Sequence, residues 1–324
     1  MADSHRNLYI FSFDMKRFLS FFILFLIPII VFAVIAELLF RFLPNDYNYK
    51  SNYMNTHSSE IECLILGNSH SAWGIDPTCF SFNTFNLAFA GQPLIYDELL
   101  LEKYINQMTS LKYVIISVSY CAPYVIFEQN DRRSISIYPI YFDINPCNDT
   151  WEYHFEITAN SPRINFSRLV NLFSKTEKRC LEYGNYTAPC ISDTMQLSNS
   201  TAQRHNNAYR KDLDSSSTAF ERNVCALKRI LAICETKNIR LFVVIPPHTV
   251  SYVNNLDQQM KIKTMDMLQS ISNSSNVCLL NFSEDIRFMD NCNFSDEDHL
   301  CLHGSEIYSR ILNDTIQYYE HKCQ

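Results

Sequence analysis

The strongest structural signal in the sequence is an uncharged apolar run near the N-terminus, because few environments accept one. Residues 18–36 carry no charge, and the apolar character resumes after Glu37. About 20 consecutive apolar residues cross a hydrocarbon core roughly 30 Å thick as a helix. The run is apolar on every side, whereas a helix packed on a soluble core is apolar along one stripe. The sequence therefore predicts a transmembrane anchor over residues 18–42.

Charges around the run predict its orientation. The flanking basic residues are Arg6, Lys16 and Arg17 before the run and Arg41 and Lys50 after it. Because basic residues stay on the cytoplasmic side, residues 1–17 are predicted as a cytoplasmic tail and residues 43–324 as a domain in the periplasm or at the cell surface. A cleaved signal peptide is the alternative, since Val34-Ile35-Ala36 has a spacing that a signal peptidase accepts, although the run is long for one.

The rest of the chain has the composition of a globular domain. About 280 residues follow the apolar run, a length that suits one large domain. Hydrophobic residues make up 47% of the chain and charged residues 19%, which argues against a disordered protein. The net charge of −7 and the lack of long basic clusters argue against nucleic acid as a partner.

Short apolar runs alternate with helical patterns in this domain. The predicted strands span residues 62–66, 84–90, 113–118, 240–245 and 277–282, and the predicted helices span residues 94–108, 220–236, 258–271 and 305–319. Short apolar runs are typical of parallel strands buried on both faces. The alternation predicts an α/β fold with a doubly wound parallel sheet of about five strands.

Residues 121–219 break this alternation. The stretch is polar, contains scattered prolines and looks helical only over residues 166–173. It is too long for an ordinary loop. We predict a large insertion after the third strand that caps the site, with a partly disordered surface excursion as the alternative.

Two motifs supply a serine, a histidine and a carboxylate that could act together. Gly67-Asn68-Ser69 follows the first predicted strand, so the Ser69 hydroxyl lies at the carboxyl edge of the sheet, where open α/β sheets bind ligands. Asp296 precedes His299 by three residues, just before the last predicted helix. A serine is a weak nucleophile at neutral pH and needs a hydrogen-bonded base that a third group orients. Ser69, His299 and Asp296 are predicted as nucleophile, base and orienter.

These motifs, together with Gly91 after the second strand, resemble those of the SGNH (GDSL-type) hydrolase superfamily, extracytoplasmic esterases and acyltransferases on a flavodoxin-like sheet. The resemblance covers residues 62–319. It implies that the backbone N–H groups of Ser69 and Gly91 stabilise the oxyanion. A membrane anchor before such a domain is also similar to the DltD-like type, which partners membrane-bound O-acyltransferases in modifying cell-surface polymers.

The sequence departs from the family pattern in two places. The first motif usually reads Gly-Asp-Ser, where this chain has Asn68. The third motif usually supplies an asparagine that donates to the oxyanion, but residues 117–120 read Ser-Val-Ser-Tyr. Loss of one such donor costs roughly 10²–10³ in rate. Either Ser119 or the Asn68 amide substitutes as donor, or the protein is a weak or inactive catalyst.

Two further histidines follow predicted strands. His70 is predicted to begin the next helix or to contact substrate, and His248 to contact substrate or to lie in a capped turn. A zinc site near the histidine motif is not predicted, because the spacing of Cys292, Cys301 and His303 matches no common ligand set. We predict no metal and no other cofactor.

An exported domain meets an oxidising compartment, so the cysteines bear on its stability. The better disulfide candidates lie in polar or loop segments: Cys147, Cys180, Cys190, Cys292 and Cys301. Their pairing cannot be deduced from the sequence. Cys63 and Cys278 lie within predicted strands and are expected to be buried thiols.

Two functions from different classes stay open at this point. The first is a membrane-anchored serine esterase or O-acyltransferase that acts on acyl groups, acetyl above all, of a cell-surface carbohydrate or polymer. The second is a catalytically inactive module that binds glycan or scaffolds a membrane-bound O-acyltransferase. Reaction of the domain with a serine-directed probe would separate them.

Overall fold

The computed structural model describes residues 4–127, 131–145, 150–170, 180–191, 200–214 and 218–323. Its contacts divide the chain into two compact units. The helical unit comprises Met1–Pro44 and Asp131–Glu177, and the sheet unit comprises Asn45–Asn130 and Lys178–Gln324. Part of the predicted insertion therefore groups with the N-terminal helix and the rest with the sheet.

Five strands and twelve α-helices form within the described segments. The strands are β1 (Cys63–Gly67), β2 (Thr84–Asn86), β3 (Tyr113–Ser117), β4 (Arg240–Ile245) and β5 (Val277–Asn281). The helices are α1 (Ser4–Phe42), α2 (Asp46–His57), α3 (Ser69–Gly74), α4 (Leu94–Tyr104), α5 (Arg132–Tyr141), α6 (Glu156–Ala159), α7 (Pro162–Val170), α8 (Ser200–Asp214), α9 (Thr218–Thr236), α10 (Val250–Asn255), α11 (Gln258–Ile271) and α12 (Leu302–Cys323).

The sheet unit confirms the predicted fold class. All five strands are parallel in the order β2-β1-β3-β4-β5, which is the flavodoxin-like order. Alternate side chains of the strands face opposite sides of the sheet. Ile65 and Phe242 join a core with Tyr308 and Leu312 of α12, while α4 and α9 contact β1 and β4. Gly67 pairs with Ser117, so β1 and β3 end side by side.

The second strand, which lies at one edge of the sheet, is shorter than predicted. Its ladder ends at Asn86, although Leu87 N–H still donates to the Ile65 carbonyl at 2.9 Å. On the open side, Asn86 N–H donates to the Tyr183 carbonyl at 2.9 Å. Chain from the predicted insertion thus covers an edge that would otherwise expose unpaired backbone groups.

The N-terminal helix α1 runs through Pro28 without a break. Its segment Met15–Phe42 is long and apolar enough to cross a membrane, and the apolar side chains of its central part are exposed. A membrane anchor and a signal sequence share these properties. In the predicted insertion, the expected helix over residues 166–173 is present as part of α7, and residues 171–173 lie outside the described ranges.

One disulfide is formed in the described segments, between Cys190 and Cys301. Both residues were among the candidates. Of the other candidates, Cys180 is a buried thiol, Cys292 is an exposed thiol, and Cys147 lies outside the described residues. As predicted, Cys63 and Cys278 are buried in the strands.

Candidate catalytic site

A tight turn carries Ser69 from the end of β1 into α3. Gly67 has φ +119°, a conformation that favours glycine, and a Cβ there would lie 2.8 Å from Ser71 Oγ and 3.2 Å from Ser117 N. Asn68 is the N-cap of α3, and its Oδ1 accepts from His70 N–H at 3.1 Å. The turn is therefore fixed from both sides of the serine.

The buried carboxyl group of Asp97 on α4 holds this turn by a hydrogen bond. Gly67 N–H donates to Asp97 Oδ1 at 2.7 Å, and the Gln92 amide donates to the same oxygen. Burial raises the pKa of Asp97 to about 8, against the lowering effect of these two hydrogen bonds. The nucleophile turn thus depends on a contact from α4 that the sequence motifs do not reveal.

The three predicted catalytic residues lie within hydrogen-bond distance of one another. Ser69 Oγ is 2.8 Å from His299 Nε2, and both carboxylate oxygens of Asp296 are 3.0 Å from His299 Nδ1. Asp296 Oδ1 also accepts from the backbone N–H of His299 at 2.8 Å. These partners assign the ring proton to Nδ1, which leaves Nε2 free to accept the serine proton.

A second carboxylate contacts the same imidazole. Asp298 Oδ1 is 3.2 Å from His299 Nδ1, and its Oδ2 is 3.5 Å from His70 Nε2. The Asp298 side chain is 3% exposed, whereas that of Asp296 is 52% exposed. The His70 ring stacks on the His299 ring with centroids 5.0 Å apart, and His70 Nδ1 is 3.0 Å from Asn68 Oδ1.

Sequence reasoning did not find this buried pair of Asp298 and His70. The sequence contains one hint of the pair: the acidic Asp298 directly precedes His299, and His70 directly follows Ser69. Each is unremarkable alone, because polar residues next to a motif usually face solvent. Only the approach of α3 to the loop before α12 brings the two side chains together.

The two carboxylates favour the charged form of the base. Burial alone would lower the pKa of His299, but its hydrogen bonds to Asp296 and Asp298 outweigh burial and raise the pKa to about 10. Burial likewise opposes ionisation of Asp298, yet the hydrogen bonds with His299 and His70 hold its pKa well below the ordinary value. Burial lowers the pKa of His70, so this ring favours the neutral form.

A cavity of about 410 Å³ opens at the serine. Its lining residues are Ser69, Trp73, Ala90, Gly91, Ala188, Ser295, Asp296 and His299. Gly91 has φ +67°. Within the described residues, the backbone N–H groups of Ser69 and Gly91 donate to no protein acceptor. Two of the residues that line the cavity thus carry backbone N–H groups that make no other hydrogen bond in the described part of the chain.

The other predicted site residues lie outside the cavity wall. Ser119 is fully buried, and its Oγ is 3.4 Å from Cys121 Sγ. The side-chain oxygen of Asn68, Oδ1, accepts from the His70 backbone N–H in the α3 cap and lies 3.0 Å from His70 Nδ1. His248 is buried, packs edge-on against His70 at 5.1 Å and stacks on Tyr252 at 5.0 Å. As for metals, donor atoms of His70, Asp298 and His299 lie within 4.8 Å of one another, but the hydrogen bonds above already use His299.

No protein family and no curated protein matches the chain. Solved structures do. A protein from Bacteroides fragilis, provisionally described as an acylhydrolase, is 9% identical with a TM-score of 0.41, and the match covers 82% of this chain and 95% of that chain. A Streptococcus pneumonia protein, provisionally described as a platelet activating factor, is 10% identical with a TM-score of 0.38, over 89% of this chain and 95% of that one. Neither likeness is strong enough to indicate a function.

Proposed function

We propose that the protein is a serine esterase or acyltransferase whose nucleophile is Ser69. The observation that carries the proposal is the 2.8 Å contact between Ser69 Oγ and His299 Nε2, with two carboxylates on the other side of the ring, Asp296 at 3.0 Å and Asp298 at 3.2 Å from Nδ1. Nucleophile, base and orienter in hydrogen-bond contact beside a cavity are the arrangement that acyl transfer requires.

The reaction has two halves. In the first, Ser69 Oγ attacks the ester carbonyl while its proton moves to His299 Nε2, and the Ser69 and Gly91 N–H groups donate to the oxyanion. The intermediate collapses as the protonated His299 gives its proton to the departing alcohol oxygen, which leaves an acyl-serine. In the second half, His299 takes a proton from water or from a sugar hydroxyl as that oxygen attacks the acyl-serine. The second intermediate then collapses: the bond between the acyl carbon and Ser69 Oγ breaks, His299 returns its proton to Ser69 Oγ, and the carboxylic acid or the acylated sugar leaves.

The small number of oxyanion donors is expected to slow turnover. Residues 117–120 supply no asparagine, and the fully buried Ser119 and the Asn68 side chain do not line the cavity. With two backbone donors alone, turnover is expected to be roughly 10²–10³ slower than with a third donor. This feature is also what favours the second candidate, a non-catalytic module that binds glycan or scaffolds an O-acyltransferase.

We further propose that α1 is an uncleaved anchor that leaves the sheet unit outside the cytoplasm. The charge bias of the flanking residues supports this orientation. Ala36 and Phe40 are buried within the helical unit, and Ala36 lies inside a continuous helix. The packing of these two residues against the helical unit supports an α1 that stays attached to it.

The chemistry of the cavity supports a small acyl group on a neutral sugar or polymer as substrate. Among the described residues no lysine or arginine lines the wall, and the charge that His299 carries is already paired with Asp296 and Asp298, so an anionic substrate would find no free counter-charge there. Trp73, stacked on Tyr186 with centroids 4.7 Å apart, gives one wall an aromatic surface. An acetylated surface carbohydrate, alone or delivered by a membrane-bound O-acyltransferase, meets these requirements.

The test is covalent labelling of the detergent-solubilised chain with a fluorophosphonate probe. Labelling is expected on Ser69, and Ser69→Ala is expected to lose labelling and to lower p-nitrophenyl acetate turnover by about 10⁶ if the three residues act as a unit. Ser295→Ala, which removes another hydroxyl from the cavity wall, is the matched control and should retain labelling. An unlabelled chain, or equal turnover in Ser69→Ala, would establish the non-catalytic module instead.

A further inference from the structure

The end of α1 is clamped to the short helices of the helical unit. The Glu37 carboxylate accepts from the backbone N–H groups of Glu156 and Ile157, each at 3.0 Å, where α6 begins. Arg41 donates to the His154 carbonyl. These bonds fix α6 at the level of residues 37–41 of α1.

A buried acidic residue joins the remaining helices to this clamp. Glu156 is fully buried and accepts from Arg133 on α5 at 2.8 Å, from Arg168 on α7 at 2.7 Å, and from Tyr141. Burial would raise the pKa of Glu156, but Arg133 and the Tyr141 hydroxyl, with Arg168, lower it. The Arg168 guanidinium also lies over the Phe40 ring at 4.4 Å. Helices α5, α6 and α7 therefore form one group with the end of α1.

The length of the apolar segment sets the depth of this group. Met15–Phe42 has 28 residues, about 42 Å at 1.5 Å per residue. A hydrocarbon core is about 30 Å thick, so roughly 12 Å of helix extends into the headgroup layers. Glu37 is five residues from the end of the segment and thus lies near the boundary of the hydrocarbon core. Whatever Glu37 binds must lie near the same boundary.

Exposed apolar side chains are concentrated in this group. The five exposed large apolar residues among residues 151–170 are Trp151, Phe155, Ile164, Phe166 and Val170, and we call them the apolar surface. Trp151, Phe166 and Val170 are each more than 60% exposed. The much longer sheet unit has seven such residues in its described part, scattered from position 181 to position 318. On α7, Phe166 and Val170 share a face with the exposed Arg163.

We propose that the apolar surface rests in the headgroup layer of the bilayer that α1 crosses. Tryptophan and phenylalanine next to arginine are the residues of helices that lie in a membrane interface. A phospholipid layer is the occupant that the clamp to α1 favours, because the clamp holds the surface at the depth of that layer. The inference rests on the proposed anchor and is independent of the proposed catalysis.

The test uses the fact that the chain has two tryptophans. The full-length Trp73→Phe chain, in which Trp151 is the remaining tryptophan, is reconstituted in phosphatidylcholine vesicles with and without lipid brominated near the headgroup. Brominated lipid is expected to lower Trp151 emission about twofold, as for an interfacial tryptophan. Unchanged emission would overturn the proposal. The apolar surface would then be covered by a second copy of the chain or by a partner protein instead of lipid.

Matched variants separate the surface from general effects of reconstitution. In the same background, Phe166→Ser/Val170→Ser should weaken the quenching, whereas Ile262→Ser/Ile286→Ser removes exposed apolar residues of the sheet unit and should not. Equal effects of the two pairs would contradict the proposal. Extraction of the vesicles with alkaline carbonate checks the anchor: release of the chain overturns the anchor and this inference together, while a retained chain with unquenched Trp151 overturns this inference alone. Fluorophosphonate labelling reports catalysis separately.

Discussion

The nucleophile turn (residues 67–71) and the histidine loop (residues 295–301) meet at one cavity but are held by different kinds of contact. In the turn, a glycine at positive φ fits where a Cβ would clash, and a buried carboxyl group binds its N–H. In the loop, two carboxylates surround one imidazole, and one of the two is half exposed. The turn is thus held mainly by shape and the loop mainly by charge.

The two regions should therefore respond to different perturbations. Shape does not change with pH, so the turn should fail when an added atom displaces its backbone or when the Asp97 contact is lost, and its response to pH is confined to Asp97, whose pKa is about 8. The loop should respond to charge removal and to pH, because its geometry depends on the charges of His299 and Asp298. Three experiments test this division.

The largest effect is expected from removal of a loop carboxylate. Asp298→Asn should lower p-nitrophenyl acetate turnover by up to about 10⁴, because an amide can present its NH₂ to His299 Nδ1 and enforce the wrong tautomer. Asp296→Asn should cost less, since water can partly replace a carboxylate that is 52% exposed. Turnover and melting temperature of the purified variants check both expectations.

The control for loss of a negative charge is an exposed glutamate outside the histidine loop. Glu297, between the two aspartates, accepts from the backbone N–H groups of Ser200 and Thr201 at the start of α8, so replacing it would disturb the fold. Glu284→Gln removes the same charge from an exposed position and should leave turnover unchanged. A larger loss in Asp296→Asn than in Asp298→Asn would make the exposed carboxylate the principal orienter.

The pH dependence should show the next largest effect. Catalysis needs neutral His299, whose pKa is raised to about 10, so kcat/KM should rise about tenfold per pH unit from pH 7 towards pH 9. Stability should move the opposite way: the folded-state pKa is above the ordinary 6.5, so the contribution of charged His299 is complete below pH 6.5 and is lost as pH rises towards 10.

Rates and melting temperatures across this range, corrected for spontaneous ester hydrolysis with Ser69→Ala, provide the measurement. Asp298→Asn should move the rising limb of the rate profile to lower pH, because it removes one of the two groups that raise the His299 pKa. A profile that is flat above pH 7 would show that charge does not control the loop.

The sequence predicts the sheet, and the proximity of Ser69, Asp296 and His299, because both depend on local patterns. Buried parallel strands are continuous apolar runs, and Ser69 and Asp296–His299 each form a recognisable motif. The contacts of Asp97, Asp298 and Glu37 depend on where separate elements meet, and no local pattern carries that information. The pairing of Cys190 with Cys301 across 111 residues is hidden for the same reason.

The smallest effect is expected from Gly67→Ala in the turn. The new Cβ would meet Ser71 Oγ at 2.8 Å and backbone atoms of Ser117 at 3.2 Å, at a φ of +119°. The strain should cost about 1–3 kcal/mol and lower the melting temperature by several degrees. Gly91→Ala is the matched control for stability, since its φ is also positive but its Cβ would meet nothing within 4 Å, so its melting temperature should fall less.

Gly67→Ala should also slow turnover by moving Ser69. It should leave the rising limb of the pH–rate profile in place, because His299 keeps both carboxylates. A limb that shifts in Gly67→Ala as it does in Asp298→Asn would mean that turn and loop are one electrostatic unit.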